Sequence, residues 1–308
     1  MNVLLVGEES AGIQVLRLVA EAGHRLVGVL TAPRTRGGGA TVAGVAEQLG
    51  LLVLPSERVR DPELASWIRR NEVDVLLNVH SLFVIHADVV AAPAIGSFNL
   101  HPGPLPEYAG LNVPSWSIYH GERIHGVTLH WMEPTIDTGP IAYEQRFEMG
   151  DEETGLSLSA RCVREGRPLV ARLLDAAAQD RSSIRAVAQD RAVRRYFGKE
   201  VPHGGRVMWS MSARRVTAFI RACDYFPFAS PWGHPTGRLG DRAVSIVKAD
   251  QTGKRTRERP GTVGSVDDDG ALVAAADEWV LIRRLQVDGS GVAPHELLRP
   301  GARFEERP

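Results

Sequence analysis

An asparagine and a histidine lie two positions apart at the end of an apolar segment, just before a loop rich in proline: Asn99 and His101. In a β-strand this spacing puts both side chains on the same side of the chain. The pair offers an amide donor beside an imidazole whose ordinary pKa is near neutrality. Together they could hold the oxyanion that forms when a nucleophile attacks a carbonyl group. The alternative is a local role, in which His101 satisfies a loop carbonyl and Asn99 caps a turn.

A carboxylate follows 36 residues after His101, in the turn Ile136-Asp137-Thr138-Gly139. An aspartate in a turn that ends with glycine most often forms an Asx turn. Asp137 could instead orient His101 and stabilise its charge, as a carboxylate does in many acid–base sites. The separation is compatible with a chain that returns through a strand–helix–strand unit, so the three side chains form a candidate catalytic group.

Several other catalytic and binding patterns are absent from the sequence. Gly7 and Gly12 have the spacing of a phosphate-binding loop, but no lysine followed by serine or threonine completes it. Neither the dinucleotide-binding glycine fingerprint nor the nucleophilic serine elbow occurs. Three histidines recur every five residues, which fits neither a helix face nor a strand face: His120, His125 and His130. We therefore expect no metal site.

Apolar runs alternate with helical patterns along the first third of the chain. The strand patterns cover residues 3–6, 26–30, 51–54, 73–79 and 95–100. A helix is predicted over residues 11–22, with Ser10 as its cap and Gly23 after its end. This alternation is typical of an α/β fold, a Rossmann-like and mostly parallel sheet with helices on both faces. In such sheets ligands bind beyond the carboxyl ends of the strands, where Asn99 and His101 are expected.

The rest of the chain contains a long helical pattern, a basic segment and a series of short strands. Short strands separated by Asp and Gly turns are typical of a small β-barrel of the OB type. We therefore expect a catalytic domain over residues 1–180, a basic linker over 181–205 and a β-barrel domain over 206–308. Residues 185–221 hold nine Lys or Arg and two Asp or Glu. This basic segment could face a phosphate-bearing partner, or it could be a solvated linker and helix face.

Composition limits the class of protein. The 308 residues carry 36 basic and 37 acidic side chains, a net charge of −1 that provides no general attraction to nucleic acid or anionic membrane. Two cysteines, Cys162 and Cys223, are too few for a secreted fold built on disulfides. No apolar run approaches the roughly 18–20 residues that span a bilayer. These features predict a soluble, cytoplasmic protein without membrane partners.

Three motifs occur in an order and spacing that resemble one enzyme family. They are SFNLHPGPLP at residues 97–106, HGVT at 125–128 and IDTGPI at 136–141. The pattern resembles that of the formyltransferases that use 10-formyltetrahydrofolate, which include methionyl-tRNA, sugar and amino-acid N-formyltransferases. Segments at 205–209, 219–222, 260–263, 269–274 and 282–286 resemble the C-terminal barrel domain of the same family. Gly103 and Pro104 stand where the family has Ser and Leu, so a contact from that serine is missing here.

The resemblance implies a site, with 10-formyltetrahydrofolate as co-substrate and no metal. Asn99, His101 and Asp137 would be the catalytic residues. The residues implied as folate contacts are Ser81, Leu82, Phe83, Val84 and Ile136, and those implied as acceptor contacts are Ser10, Asn112, Trp116 and Trp131. In the implied reaction an amine attacks the formyl carbon, and Asn99 and a protonated His101 stabilise the oxyanion. Asp137 keeps His101 charged and helps to take the proton of the amine.

The acceptor is expected to be the amine of a small molecule or of a carrier-bound group, of the amino-acid or amino-sugar type. The loop at residues 32–44 is short and keeps only Arg34 and Arg36, whereas the methionyl-tRNA enzymes carry a longer basic insertion there. Trp116 and Trp131 would form aromatic walls, which suit a compact ligand, although each could equally be a core residue. Methionyl-tRNA stays as the alternative acceptor, and a homodimer stays open.

Two other functions use the same residues differently. A 10-formyltetrahydrofolate hydrolase would use water as the nucleophile, and such enzymes typically carry a regulatory domain before the catalytic one. Here the predicted sheet begins at residue 2, which favours a transferase. A folate-binding regulator without catalytic activity would not need Asn99, His101 and Asp137 together.

Overall fold

A computed structural model describes residues 1–33, 39–81 and 83–306. The chain divides into two compact units. The first unit comprises Met1–Gly110, His125–Phe147 and Ala160–Tyr196. The second unit comprises Leu111–Ile124, Glu148–Ser159 and the chain from Phe197 onward.

The two units together contain sixteen strands and eight α-helices within the described residues. In chain order these are β1 (Asn2–Gly7), α1 (Glu9–Glu21), β2 (Arg25–Thr31), α2 (Val42–Gln48), β3 (Val53–Pro55), α3 (Glu63–Arg70), β4 (Val75–Val79), α4 (Ala87–Val90), β5 (Gly96–His101), β6 (Ala109–Gly110), α5 (Val113–His120), β7 (Ile124–Trp131), β8 (Ile141–Glu148), α6 (Gly155–Gln179), β9 (Tyr196–Phe197), α7 (Ala213–Ala222), β10 (Thr236–Leu239), β11 (Arg242–Arg255), β12 (Val263–Asp267), β13 (Gly270–Ala274), β14 (Glu278–Val287), β15 (Ser290–Val292), α8 (Pro294–Leu297) and β16 (Phe304–Glu305). Short 3-10 turns cover Ser56–Arg60, Arg181–Ser183, Arg191–Val193 and Pro202–Gly205.

The first unit is built on a seven-stranded sheet in the order β3-β2-β1-β4-β5-β7-β8. The strands from β3 to β5 are parallel, and β7 joins β5 in the antiparallel direction. Strand β1 is apolar on both faces because Val3 and Leu5 enter one core cluster while Leu4 and Val6 enter another. Burial of both faces is the pattern expected of parallel strands covered by helices. The predicted mostly parallel α/β sheet is confirmed.

Helices cover the two faces of this sheet. Helices α1, α2 and α6 contribute to the core cluster on one face, and α3 and α4 contribute to the cluster on the other. The longest helix, α6, has 25 residues and contains Pro168. Of the helices in the described ranges, none combines the length and apolar character needed to cross a membrane.

Two local expectations from the sequence differ from the structure. Ser10 does not cap α1, because the helix begins at Glu9, two residues earlier than predicted, and Glu8 occupies the cap position without a side-chain capping bond. The Glu8 carboxylate instead accepts hydrogen bonds from Thr31 Oγ1 (2.9 Å) and the Ala32 N–H (2.7 Å). Helix α5 was not predicted, since its apolar residues lack a helical period. The helix begins after Asn112 and has Pro114 in its first turn. Proline fits there because an N–H in the first turn has no partner within the helix, so its absence costs little free energy.

The second unit contains a seven-stranded antiparallel sheet with α7 packed against it. Six strands follow the order β12-β13-β14-β11-β10-β16, and β15 pairs with β14. The long strand β11 shows register shifts against β14, and such irregularities bend a strand and increase its twist. The result is a curled sheet, a half-barrel, which confirms the predicted C-terminal β fold.

Helix α5 and the start of α6 belong to the second unit because of specific contacts with α7 and the residues after it. Ser115 Oγ donates to the Ala222 carbonyl (2.8 Å), and the Leu156 N–H donates to the Asp224 carbonyl (3.0 Å). The first unit, in turn, extends to Tyr196 and includes much of the predicted linker. This division by contacts differs from the boundaries at 180 and 206, which stay a prediction about separately folding domains.

We expect Phe304→Ala to destabilise the protein by about 3–5 kcal/mol, the range for truncating a fully buried phenylalanine. The Phe304 side chain is 1% exposed in the core of the second unit, with its ring centroid 5.4 Å from that of Trp209. The matched control is Phe228→Ala, because Phe228 is 68% exposed, and its effect should stay within about 0.5 kcal/mol. Chemical denaturation followed by circular dichroism measures both values, and equal losses would contradict the assigned core.

Candidate active site

The pairing of β5 with β7 positions the candidate catalytic residues of the first unit. In this antiparallel pair Asn99 lies opposite His130, and His101 lies opposite Thr128. Residues two apart on a strand share a face, so the four side chains project to one side of the sheet. His101 is 3% exposed and His130 is 2% exposed. The two imidazoles and the amide therefore meet in a buried setting.

The proline-rich loop after β5 is fastened by the HGVT motif. Thr128 Oγ1 donates to the Gly103 carbonyl (2.8 Å) and accepts from the Leu105 N–H (3.1 Å). His125 Nε2 lies 3.0 Å from the Pro102 carbonyl. Because these bonds go to the backbone, they do not depend on the serine that the family has at position 103.

Asp137 lies in the turn between β7 and β8 with a left-handed φ of 54°. Its Oδ2 accepts the Gly110 N–H (2.8 Å). The turn approaches β7 so closely that a Cβ at Gly139 would lie 1.9 Å from the Trp131 carbonyl oxygen. Gln189 Nε2 donates to the carbonyls of Asp137 (3.1 Å) and Gly139 (2.7 Å). The glycine of the IDTG motif is therefore required by space, and it sets where the carboxylate lies.

The ring of His101 lies between a carbonyl and the carboxylate. Its Nε2 is 2.6 Å from the Tyr108 carbonyl, and its Nδ1 is 3.5 Å from Asp137 Oδ2. A carbonyl oxygen only accepts hydrogen bonds, so Nε2 carries a proton. The local role that the sequence left open for His101, satisfying a loop carbonyl, is thus present beside the contact with Asp137.

Asn99 forms hydrogen bonds through both ends of its amide. Its Nδ2 lies 3.1 Å from His130 Nε2 and 3.3 Å from Asp137 Oδ1, and its Oδ1 accepts from Asn78 Nδ2 (2.9 Å). His130 Nδ1 lies 2.7 Å from the Trp131 carbonyl and therefore carries the proton, which leaves Nε2 as the acceptor. Both amide hydrogens of Asn99 are thus engaged within the site.

Charge in this site resides on Asp137. Burial opposes ionisation of its carboxyl, but the positive charge of His101 at the low pH where the carboxyl titrates and the hydrogen bond from the Gly110 N–H outweigh burial, and the pKa lies well below its ordinary value. For His101 burial dominates, and the pKa is lowered although Asp137 and the Tyr108 carbonyl act in the opposite direction. At neutral pH the carboxylate is therefore ionised and the resting imidazole is neutral. The protonated His101 that the resemblance implies during the reaction stays a prediction.

This arrangement can accept a proton and stabilise a developing negative charge. A proton taken by His101 Nδ1 would form an imidazolium 3.5 Å from the Asp137 carboxylate, which stabilises it. The hydrogens of the Asn99 amide can turn from their present acceptors to an oxyanion. These capacities suit attack of a neutral nucleophile on a carbonyl carbon.

Residues implied as folate contacts follow β4 or precede Asp137. Ser81 Oγ donates to the Phe83 carbonyl (2.9 Å) and accepts the Phe83 N–H (3.2 Å), which closes a turn. Phe83 is partly buried against the core. Val84 and Ile136 are 64% and 43% exposed, so they present apolar surface to solvent. Leu82 lies outside the described residues, as do Arg34 and Arg36.

Of the four residues implied as acceptor contacts, Ser10 and Trp131 lie in the first unit, and Asn112 and Trp116 lie in the second. Trp131 packs on Phe98 with ring centroids 4.3 Å apart, and its indole N–H donates to the Arg185 carbonyl (2.8 Å), so its core role is the observed one. Ser10 is exposed on α1. Asn112 and Trp116 belong to the second unit, where Trp116 packs against Trp232 (4.9 Å).

Sequence reasoning missed Asn78 and His130 as members of the site. Both are aligned with Asn99 by the sheet register, Asn78 on β4 and His130 on β7. The signal that could have found them is a polar residue in an otherwise apolar, buried strand, taken together with strand pairing. Across the described ranges, no cluster of three or more His, Cys, Asp or Glu side chains could hold a metal ion.

Two family models match the chain. The model described as formyl transferase matches residues 35–174, and the model of the formyl transferase C-terminal domain matches residues 201–299. Together they account for more than half of the chain. The chain belongs to the formyltransferase family. The resemblance inferred from its three motifs is confirmed, and so is its assignment to a class of enzymes that transfer formyl groups.

Members of the formyltransferase family from several bacteria are similar over nearly the full length. The methionyl-tRNA formyltransferase of Chlorobium luteolum is 30% identical over 300 residues, which cover 94% of this chain and 93% of that protein. The methionyl-tRNA formyltransferase of Acidothermus cellulolyticus is 30% identical over 330 residues, covering 99% of this chain and all of that protein.

A solved structure shares the fold at lower identity. The N-formyltransferase of Helicobacter canadensis, crystallised with folinic acid and dTDP-3-aminofucose, superimposes with a TM-score of 0.69. The two chains are 15% identical, and the match covers 92% of this chain and 99% of the other. At this identity the likeness concerns the fold alone.

We expect Asp137→Asn to lower the pKa of His101 further. The Asp137 carboxylate attracts a proton to the imidazole, and its loss removes the largest of the influences that oppose burial. NMR titration of the histidine ring signals measures this shift. The ring signals of the exposed His295 are the internal control and should be the same in both proteins. A His101 pKa that stays the same or rises in the variant would contradict the proposed coupling.

Proposed function

We propose that this formyltransferase moves the formyl group of 10-formyltetrahydrofolate to the amine of a small-molecule or carrier-bound acceptor. The observation that carries the proposal is the buried cluster of Asn99, His101 and Asp137, with a neutral imidazole beside an ionised carboxylate. Neutral His101 suits a base, and the Asn99 amide suits an oxyanion donor.

The reaction consists of one addition and one elimination. The lone pair of the acceptor amine forms a bond to the formyl carbon, and the carbonyl electrons move to oxygen, where Asn99 donates hydrogen bonds. His101 takes the proton that the amine nitrogen loses, and Asp137 stabilises the imidazolium. The carbonyl then re-forms, the bond from carbon to N10 breaks, and the proton held by His101 passes to N10, so that tetrahydrofolate leaves and His101 becomes neutral again.

Exposed apolar side chains near the strand ends support a folate site in the first unit. Val84 and Ile136 present apolar surface on the segments that follow β4 and precede Asp137, and a ligand site requires such surface with a few polar groups. The crystallisation of the Helicobacter canadensis enzyme with folinic acid supports the same co-substrate class.

The small acceptor is favoured by the net charge of −1, which provides no general attraction to a polyanion. The amino-sugar nucleotide bound to the Helicobacter canadensis enzyme supports an acceptor of that size. Trp131, partly buried against Phe98, stays a predicted acceptor contact.

Methionyl-tRNA is the second candidate acceptor. The observation that favours it is the 30% identity to methionyl-tRNA formyltransferases over almost the whole chain. The two candidates differ in size and charge, so kinetics separate them directly.

We expect His101→Ala and Asp137→Asn each to lower turnover by about 10²–10⁴-fold, the range for losing an acid–base group or an oxyanion donor. Release of tetrahydrofolate in the presence of a competent amine measures turnover. His295→Ala, at an exposed position on α8, is the matched control and should keep the wild-type rate. A His101→Ala enzyme that retains more than about a third of the wild-type rate would refute the role of His101.

An acceptor panel tests the substrate class. Methionyl-tRNA, amino acids, hydroxyornithine and nucleotide-linked amino sugars are offered side by side with 10-formyltetrahydrofolate, and a reaction without amine tests for hydrolysis. We expect turnover with a small amine and little release without one. Efficient formylation of methionyl-tRNA alone, with kcat/KM near about 10⁴–10⁸ M⁻¹s⁻¹, would select the second candidate. Equal rates with and without amine would identify a hydrolase.

A further inference from the structure

The chain after α6 is fastened to two loops that carry groups of the active site. This segment runs over residues 187–195 and lies in the first unit, within the basic linker that the sequence predicts. Most of its side chains are exposed, so hydrogen bonds hold it in place rather than burial of apolar side chains. At its start Val187 pairs with Ile141 at the beginning of β8, where each N–H donates to the carbonyl of the other residue (2.8 and 2.9 Å).

One side chain of the segment holds the backbone of the turn that carries Asp137. The amide nitrogen of Gln189 donates one hydrogen to the Asp137 carbonyl (3.1 Å) and the other to the Gly139 carbonyl (2.7 Å). A second side chain adds to this contact, because Arg194 Nη2 donates to the Ile136 carbonyl (3.0 Å). Three carbonyls of the IDTG turn are therefore bonded to the segment.

The turn has a backbone conformation that needs such support. Asp137 has a φ of 54°, in the left-handed region that residues with a Cβ seldom adopt. A conformation of this kind persists only where surrounding contacts hold it. The side chains at 133–136 are exposed, and the Gly110 N–H holds the carboxylate of Asp137 and not its backbone. Gln189 thus holds the backbone from which the carboxylate extends toward His101.

The other end of the segment is fastened to the proline-rich loop after β5. The Arg195 N–H donates to the Pro106 carbonyl (3.3 Å), and the Arg195 carbonyl accepts the Ala109 N–H (3.0 Å). Arg195 Nε donates to the Glu107 carbonyl (3.2 Å). Its guanidinium carbon lies 4.4 Å from the centroid of the Tyr108 ring, a distance at which a cation is attracted to an aromatic face. One arginine thus contacts four consecutive residues of this loop.

The two loops provide both polar partners of the His101 ring. Its Nε2 lies 2.6 Å from the Tyr108 carbonyl, on the loop that Arg195 holds. Its Nδ1 lies 3.5 Å from Asp137 Oδ2, on the turn that Gln189 holds. The ring itself extends from β5, whose backbone is fixed by its pairing with β4 and β7. The position of each partner relative to the ring therefore depends on the segment at residues 187–195.

We propose that Gln189 and Arg195 are positioning residues for formyl transfer. Gln189 acts through the backbone of Asp137. Arg195 acts through the backbone of Tyr108. Together they fix the carboxylate and the carbonyl between which the His101 ring lies. The effect on turnover rests on the proposed function, in which a displacement of about 1 Å at the reacting groups can lower the rate about 10²-fold.

Several titratable groups face His101 and determine which way its pKa would move. The Asp137 carboxylate and the Tyr108 carbonyl favour the protonated ring, and they are the groups that the segment positions. His130 on β7, with its ring centroid 6.5 Å away, and His80 after β4 disfavour protonation when they are charged. Looser positioning of either loop would leave the effect of burial less opposed, so the pKa of His101 would fall.

The first test is Gln189→Met, which removes both N–H donors and keeps a side chain of similar length. We expect the His101 pKa to fall, as measured by NMR titration of the ring signals in the resting enzyme, with His101→Ala to assign them. With the amine that the acceptor panel identifies, we expect kcat to fall by about 10–10²-fold. The acidic limb of the rate profile should move to lower pH, because the neutral ring is the base. Gln179→Met, at an exposed glutamine at the end of α6, is the matched control and should behave as the wild type does.

Arg195→Gln tests the other end of the segment at an exposed position, where substitution is usually tolerated. It removes the hydrogen bond to Glu107 and the contact with the Tyr108 ring. Arg191→Gln is its matched control, because it removes one positive charge from another exposed position of the same segment. We expect a lower His101 pKa in Arg195→Gln than in Arg191→Gln. If circular dichroism shows that Gln189→Met does not fold, this comparison decides the proposal.

Two results would overturn the proposal. An unchanged His101 pKa in Gln189→Met, with a lower midpoint of chemical denaturation, would show that the segment only stabilises the fold. A lower kcat at an unchanged His101 pKa would show that the loss of turnover arises by another route.

Failure of this inference is distinguishable from failure of the proposed function, because the titration needs no substrate. If the wild type formylates no amine but Gln189→Met still lowers the His101 pKa, only the formyl transfer is overturned. A lower His101 pKa with kcat within about twofold of the wild type would confirm the positioning and overturn the role of His101 as the base.

Discussion

The buried carboxylate of Asp137 is the constraint on which the site depends. One oxygen accepts the Gly110 N–H and faces His101, and the other faces Asn99 and His130. A charge removed from water is tolerated only when such partners surround it. The left-handed turn at Asp137 and the close approach of Gly139 to β7 are the backbone features that place it there.

The register of the sheet determines where the other polar side chains of the site lie. Strands β4, β5 and β7 place Asn78, Asn99 and His130 in one row, so that hydrogen bonds run across three strands from side chain to side chain. Each strand is held by backbone pairing, β5 and β7 pack against the core on one face of the sheet, and β4 contacts the cores on both faces. The orientation of the Asn99 amide is therefore a property of the sheet and does not rely on a mobile loop.

The parts of the site that sequence could predict are those that local sequence encodes. Asn99 and His101 share a strand, and the IDTG turn carries Asp137 with the glycine that its geometry requires. Asn78 and His130 could not be predicted in the same way, because they reach the site through pairing between distant strands. The packing of Trp131 on Phe98 could not be predicted either, because it depends on the pairing of distant strands. Helix α5 escaped prediction because it lacks a helical apolar period.

The hydrogen bonds of Asn99 have a consequence for how binding energy would be used in the proposed reaction. Both amide hydrogens already point to acceptors, and one of these acceptors is the ionised Asp137. A neutral formyl oxygen is a weaker hydrogen-bond acceptor than a carboxylate. The Asn99 amide would therefore keep its hydrogen bond to Asp137 while the substrate is bound and has not yet reacted. An oxyanion carries a negative charge as the Asp137 carboxylate does, so it competes with that carboxylate for the hydrogen bonds of Asn99. The Asn99 N–H groups would therefore bind the substrate oxygen only as negative charge develops on it. The free energy of that interaction would stabilise the transition state and not the bound substrate, so it would lower the barrier.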